Sequence, residues 1–174
     1  MQDKIKIGII GLGRAGYGMQ CSELHQKKDQ FEIVAGCDTY SPWRERMKEH
    51  YPDCRLYDRI EEFLKDSEVE LVSIATRSID HFDHAMLALQ SGKDVLIDKP
   101  MCINNDQAVV LQKAAATSKG NLYVRHNRRF DPDFLHIKEI MESGLLGSIH
   151  TIKLSRLGYS RRSDWQKSFF YSFP

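Results

Sequence analysis

Short runs of Ile, Val and other apolar residues alternate along the chain with longer stretches whose apolar positions recur at helical spacing. The runs are Ile5 to Ile10, Phe31 to Cys37, Leu71 to Ala75, Val95 to Ile97 and Leu122 to Val124. They are apolar without alternation, the form taken by strands covered on both faces, so they predict a parallel sheet. The intervening stretches predict helices over about 14–26, 41–49, 58–65, 80–90 and 104–118. Ser41-Pro42 and Asp58 read as helix starts, Gly92 and Gly120 as stops. Strand alternating with helix predicts an α/β fold with a doubly wound parallel sheet.

After Val124 the pattern changes. Asp131-Pro132 opens a further helix through about Glu142, Gly144 ends it, and Ile149 to Leu157 alternates as a strand of a different, half-exposed sheet does. The expected organisation is therefore a first domain over 1–124 and the beginning of a second α/β domain over 125–174. An open strand edge beside Phe169, Phe170, Tyr171 and Phe173 predicts either self-association, giving a homo-oligomer, or a segment that stays disordered.

Composition narrows the partners. In 174 residues, 25 Lys and Arg stand against 24 Asp and Glu, so no broad field draws in nucleic acid or an anionic membrane. The first apolar run is too short for a signal peptide core or a membrane span, which makes a cytoplasmic location the expectation. Cys21, Cys37, Cys54 and Cys102 form no CxxC pair, and His81 and His84 lack an HExxH pattern, so no metal site is expected.

The segment Gly11-Leu12-Gly13-Arg14-Ala15-Gly16 follows the first strand and opens the first helix. In that setting Gly11 permits a tight turn, Gly13 admits a pyrophosphate close to the backbone, and Gly16 lets helix and strand pack closely. The helix start offers unpaired N–H groups to phosphate. Asp38, 22 residues after Gly16, ends the second strand where an acidic group meets the adenine ribose. Its carboxylate accepts from ribose hydroxyls and repels a 2′-phosphate, so NAD is favoured. NADP remains open through Arg14 and Arg44.

With these residues, Ala75-Thr76-Arg77-Ser78-Ile79-Asp80-His81 resembles the ATP-x-x-x-H stretch of the Gfo/Idh/MocA oxidoreductases, and Gly92 to Pro100 resembles their GKHVLxEKP stretch. Asn127 to Pro132 and Gly144 to Ile149 are similar to the family's N-x-RF-x-P and G-x-LG-x-I segments. The resemblance implies a Rossmann domain for NAD or NADP followed by a substrate domain. It also implies a small-molecule substrate of the sugar or polyol class, inositols included, with hydride transfer at a hydroxyl or carbonyl. By position, the glycine loop, Asp38, Ala75, Thr76, His81, Asp98, Lys99, Asn127 and Arg129 would contact cofactor. Lys99 would also be catalytic, orienting substrate and supporting proton transfer. Asp98 stands where the family usually has Glu, and Arg77 where it has Pro.

The family's pattern continues past the Asp-Trp region with a glycine-rich segment carrying an Asp and a His, whereas here Asp164-Trp165 leads into an aromatic run. On this reading the second domain is cut short and activity is impaired. The alternative is a non-catalytic NAD-binding fragment or scaffold.

Overall fold

The computed structural model describes residues 3–155 and 157. Six parallel strands form one sheet: β1 (Ile5–Ile10), β2 (Phe31–Cys37), β3 (Arg55–Tyr57), β4 (Leu71–Ile74), β5 (Asp94–Ile97) and β6 (Leu122–Val124). Their order is β3-β2-β1-β4-β5-β6, and every pairing is parallel. This is the Rossmann order, with the chain reversing its direction of growth between β1 and β4. The sequence pattern missed β3, because Arg55-Leu56-Tyr57 is a three-residue edge strand with no apolar run.

Helices α1 (Ser22–His25), α2 (Ser41–His50), α3 (Ile60–Leu64), α4 (His81–Gln90) and α5 (Asn105–Thr117) connect the strands. The sheet is apolar on both faces, and each face has its own core. On one side Phe63, Ala85, Ala88, Leu89 and Leu111 pack on Val72, Ile74, Val95 and Ile97. On the other, Cys21 and Met47 pack on Ile7, Ile9 and Leu12. Burying one such large side chain stabilises the fold by roughly 1.5–3 kcal/mol, which is why unbroken apolar runs specify a doubly covered sheet.

Several local expectations are corrected. The helix expected over 14–26 begins as a π-type helix, Arg14–Cys21, and becomes α-helical only at α1. Gly16 and Gly18 lie in the π part, where backbone without side chains resists the wider winding least. Asp58 is not a cap: α3 begins at Ile60 with Arg59 before it and no side-chain cap bond. Gly92 does end α4, at φ +77°. Gly120 is required for another reason, since a Cβ there would lie 2.0 Å from the Lys93 carbonyl oxygen. Lys93 is itself structural, its Nζ donating to the carbonyls of Asp66 and Val69 at 2.7 Å each.

The described residues divide into two units between Arg125 and His126. Arg125 belongs with the first because its N–H donates to the Ile97 carbonyl and extends the β5–β6 ladder. The second contains a 3-10 turn, Asn127–Phe130, and α6 (Pro132–Glu142), which has Pro132 in its first turn and is followed by Gly144 at φ +71°. The strand expected from Ile149 to Leu157 does not form over Ile149 to Ser155. A strand exists through its ladder partners, and the six described strands pair only with one another. The aromatic tail and its expected self-association lie outside the described residues. Among the described residues no helix is long and apolar enough to cross a membrane.

Candidate functional site

The parallel ladders run one residue past the strands and thereby assemble the site. Gly11 donates to the Cys37 carbonyl, Asp38 to Tyr57, Ala75 to Ile10, Asp98 to Ile74 and Arg125 to Ile97. These bonds set the residues that follow β1, β2, β4, β5 and β6 side by side along the carboxyl edge. Open α/β sheets bind ligands at this edge, at the point where strand order reverses.

The glycine loop sits at that reversal. Gly11 has φ +89°, a left-handed conformation that disfavours a side chain, and a Cβ on it would stand 2.8 Å from the Ala75 carbonyl oxygen. Gly16 is closed in more tightly, for its Cβ would lie 1.9 Å from the Gly11 carbonyl oxygen. Around Gly13 no atom stands within 4 Å of where a Cβ would be. Two of the glycines thus fit the backbone to itself, and the third leaves open space at the start of a helical segment. That space, with the helix start and a nearby carboxylate, fits a dinucleotide.

Asp38 fixes the loop. One carboxylate oxygen accepts from the Leu12 N–H at 2.7 Å and the other from the Tyr40 N–H at 2.9 Å. Leu12 is fully buried, and its carbonyl accepts from Arg46 at 2.8 Å, so both its backbone polar groups hold the turn. The Arg46 guanidinium lies between the rings of Tyr17 and Trp43, 3.9 and 4.3 Å from their centroids. Arg44 donates to the Asp38 carbonyl at 2.6 Å, which puts a cation beside the acidic group. Arg14 and Ala15 start the π-type helix, Arg14 exposed.

On the other side of the reversal, Ala75 and Thr76 follow β4, and Asp98 and Lys99 follow β5. Thr76 Oγ1 lies 3.0 Å from His84 Nδ1, a pairing the sequence analysis did not anticipate. Burial holds the His84 imidazole below its ordinary range. His81 is 1% exposed, and both its ring nitrogens face backbone carbonyls, Nδ1 that of Pro100 at 2.7 Å and Nε2 that of Thr76 at 3.1 Å. It therefore reaches the edge through those two carbonyls, tying the loop after β4 to the loop after β5. Lys99 is exposed at the edge.

Asp98 is held by protein groups. Its carboxylate lies 3.4 Å from the Gln20 amide nitrogen and 3.4 Å from Arg125, which also pairs with Glu23. Gln20 is 3% exposed and accepts the Ser73 hydroxyl at 2.7 Å. A chain of polar groups therefore runs from inside the sheet, through the π-type helix, to the residue before Lys99. Sequence reasoning missed Gln20 because a lone Gln on a helix carries no signal until the winding of that helix is known. Asn127 and Arg129 are exposed on the 3-10 turn of the second unit. Among the described residues no group of His, Cys, Asp and Glu is placed to hold a metal ion.

Residues 5–126 match the family model of the Gfo/Idh/MocA oxidoreductases, an oxidoreductase family with an NAD-binding Rossmann fold. The chain belongs to this family. Among its Gfo/Idh/MocA relatives, the scyllo-inositol 2-dehydrogenase (NADP(+)) IolW of Bacillus subtilis is 35% identical over 153 residues, which are 88% of this chain and 42% of that protein. Two solved structures show the same fold. The WlbA dehydrogenase of Bordetella pertussis, in complex with NADH and UDP-GlcNAcA, superposes with a TM-score of 0.78 at 24% identity, covering 83% of this chain and 44% of that one. The scyllo-inositol dehydrogenase of Lactobacillus casei, with bound NAD(H) and scyllo-inositol, gives 0.78 at 23% identity, covering 83% and 43%. The chain spans less than half the length of these relatives.

Proposed function

We propose that this chain binds a nicotinamide dinucleotide at the carboxyl edge, NAD in preference to NADP. On this reading it serves hydride transfer at a hydroxyl or carbonyl carbon of a sugar, inositol or related polyol. The observation that carries the reading is the convergence of Gly11, Gly13, Asp38, Thr76 and Lys99 along one edge at the strand reversal. The relatives named for inositol and glucoside dehydrogenation support the substrate class.

Each residue has a role that follows from its place. Asp38 takes the adenine ribose, because its carboxylate keeps lone pairs beyond the two backbone bonds it accepts. Gly13 admits the pyrophosphate to the backbone at the helix start. Adenosine beside β2 puts the nicotinamide on the β4–β5 side, against Ala75 and Thr76. When bound, the nicotinamide supplies the hydride acceptor or donor. Lys99 gives the substrate oxygen a cationic hydrogen-bond donor, which stabilises the alkoxide-like charge that develops as hydride leaves the same carbon. Asp98, anchored by Gln20 and Arg125, fixes the backbone from which Lys99 extends. Arg44, already on the Asp38 carbonyl, and Arg14 are the cations available to a 2′-phosphate.

Fluorescence titration with NADH and NADPH tests the binding, and NADH formation on a panel of inositols and sugars tests the chemistry. Binding with turnover that Lys99→Met abolishes, while NADH still binds, supports the reading. Failure to bind either cofactor at millimolar concentration makes the chain a scaffold, and binding without turnover of any panel member makes it a non-catalytic module.

A further inference from the structure

Thr76 is gripped twice by the first turn of α4. His81 Nε2 lies 3.1 Å from its carbonyl oxygen, and His84 Nδ1, three residues on, lies 3.0 Å from its hydroxyl oxygen. The threonine methyl is turned toward the glycine loop, where a Cβ on Gly11 would stand 2.9 Å from it. With the methyl and the carbonyl both fixed, the direction of the hydroxyl proton is set by His84. An imidazole nitrogen that carries no proton can only accept, so the hydroxyl then donates its one proton to His84 and keeps its lone pairs for another donor. A protonated Nδ1 reverses this: it donates to the hydroxyl oxygen and turns the hydroxyl proton outward.

We propose that His84 is a positioning residue, which accepts the Thr76 hydroxyl proton at Nδ1 and so presents the Thr76 oxygen as an acceptor for the carboxamide NH2 of the nicotinamide. The proposal rests on the cofactor reading above and names one group that the site recognises. Burial lowers the His84 pKa from its ordinary 6.5; of the charged and titratable groups around it, Asp80 and Asp83 oppose the shift, while His81 and Arg77 add to it. The shift favours the neutral ring and moves its protonation to lower pH than that of a free histidine. Cofactor affinity should be level from about pH 8 to 7 and decline on acidification as the acceptor becomes unavailable.

Titration of the chain with NADH across that pH range tests this, using His84→Leu, His84→Gln and Thr76→Val with thermal melting as a check on folding. His84→Leu should weaken NADH binding about fivefold at pH 7, the worth of one neutral hydrogen bond. His84→Gln, whose amide oxygen accepts the same proton and does not titrate, should restore affinity and abolish the acid decline. In the Thr76→Val background, His84→Leu should have no further effect. Additive losses, or an acid decline that persists in His84→Gln, would overturn the proposal. Nitrogen-15 NMR of the chain without cofactor gives an independent reading. An unprotonated Nδ1 at pH 7.5 that shifts in Thr76→Val is expected, and a protonated Nδ1 there overturns the proposal even if no cofactor binds. If wild type binds neither NADH nor NADPH while the NMR result holds, the cofactor reading fails and the Thr76–His84 pair is structural only.

Discussion

Alanine at Gly13 and alanine at Gly16 should part stability from binding within one six-residue loop. Gly13 has a negative φ of −74°, and no atom lies within 4 Å of its would-be Cβ. As the residue that caps the helical segment, where Gly is preferred to Ala, Gly13→Ala should lower the unfolding free energy by about 1 kcal/mol. The same methyl occupies the space through which a pyrophosphate meets the backbone. Losing one or two charge-assisted N–H···O bonds there, at about 1.5–3 kcal/mol each, weakens NADH by about one to four orders of magnitude. At Gly16 the situation is reversed. A Cβ 1.9 Å from the Gly11 carbonyl oxygen must move more than an ångström to reach ordinary contact, and Gly11 cannot yield because its N–H is bonded to Cys37 at 2.8 Å. Overpacking of this kind costs about 3 kcal/mol, and the melting temperature should fall by roughly 6–12 °C. Thermal melting and NADH titration of the two variants side by side give the result. A Gly13→Ala chain that melts like Gly16→Ala, or that binds NADH as tightly as wild type, would refute the division of roles.

Three further outcomes follow from the same geometry. Asp38→Ala removes the acceptor of the Leu12 and Tyr40 N–H groups and the repulsion toward a 2′-phosphate, so NADH should bind at least tenfold more weakly and the NADPH-to-NADH affinity ratio should rise; an unchanged ratio refutes the assignment of Asp38 to the ribose. Gln20→Leu leaves the Ser73 hydroxyl without its buried acceptor, at a cost of about 1–3 kcal/mol in denaturant melts, and adding Ser73→Ala should recover part of that loss. Burial pushes the thiols of Cys21, Cys37 and Cys54 from 9.0 up to about 12. Between those values the unfolded chain has released its thiol protons and the folded chain has kept them. Stability should therefore fall as pH rises above about 9, and iodoacetamide at pH 8 should modify Cys102 while sparing the other three until denaturant is added.

The sequence by itself determined the class of fold and the place of the glycine loop between the first strand and the first helical segment. Unbroken apolar runs set between segments of helical period read as buried strands, which holds for β1, β2 and β4 but not for the edge strand β6, where Tyr123 is 51% exposed. The position of Asp38 directly after β2 was legible too, because its distance from Gly16 is set by the length of one helical segment and one strand. Tertiary structure alone decided which residues meet across the carboxyl edge. Parallel ladders bring together positions tens of residues apart, so that Asp98 meets Gln20, and the Pro100 and Thr76 carbonyls meet the two nitrogens of His81. Nothing local encodes β3, whose three residues gain strand geometry only by pairing with β2. The converse holds for Ile149 to Ser155, which alternate like a strand but find no edge among the described strands. His84 shows the difference at its sharpest: in sequence it is one polar residue on a helix, and only the packing of α4 against the loop after β4 gives its Nδ1 the Thr76 hydroxyl.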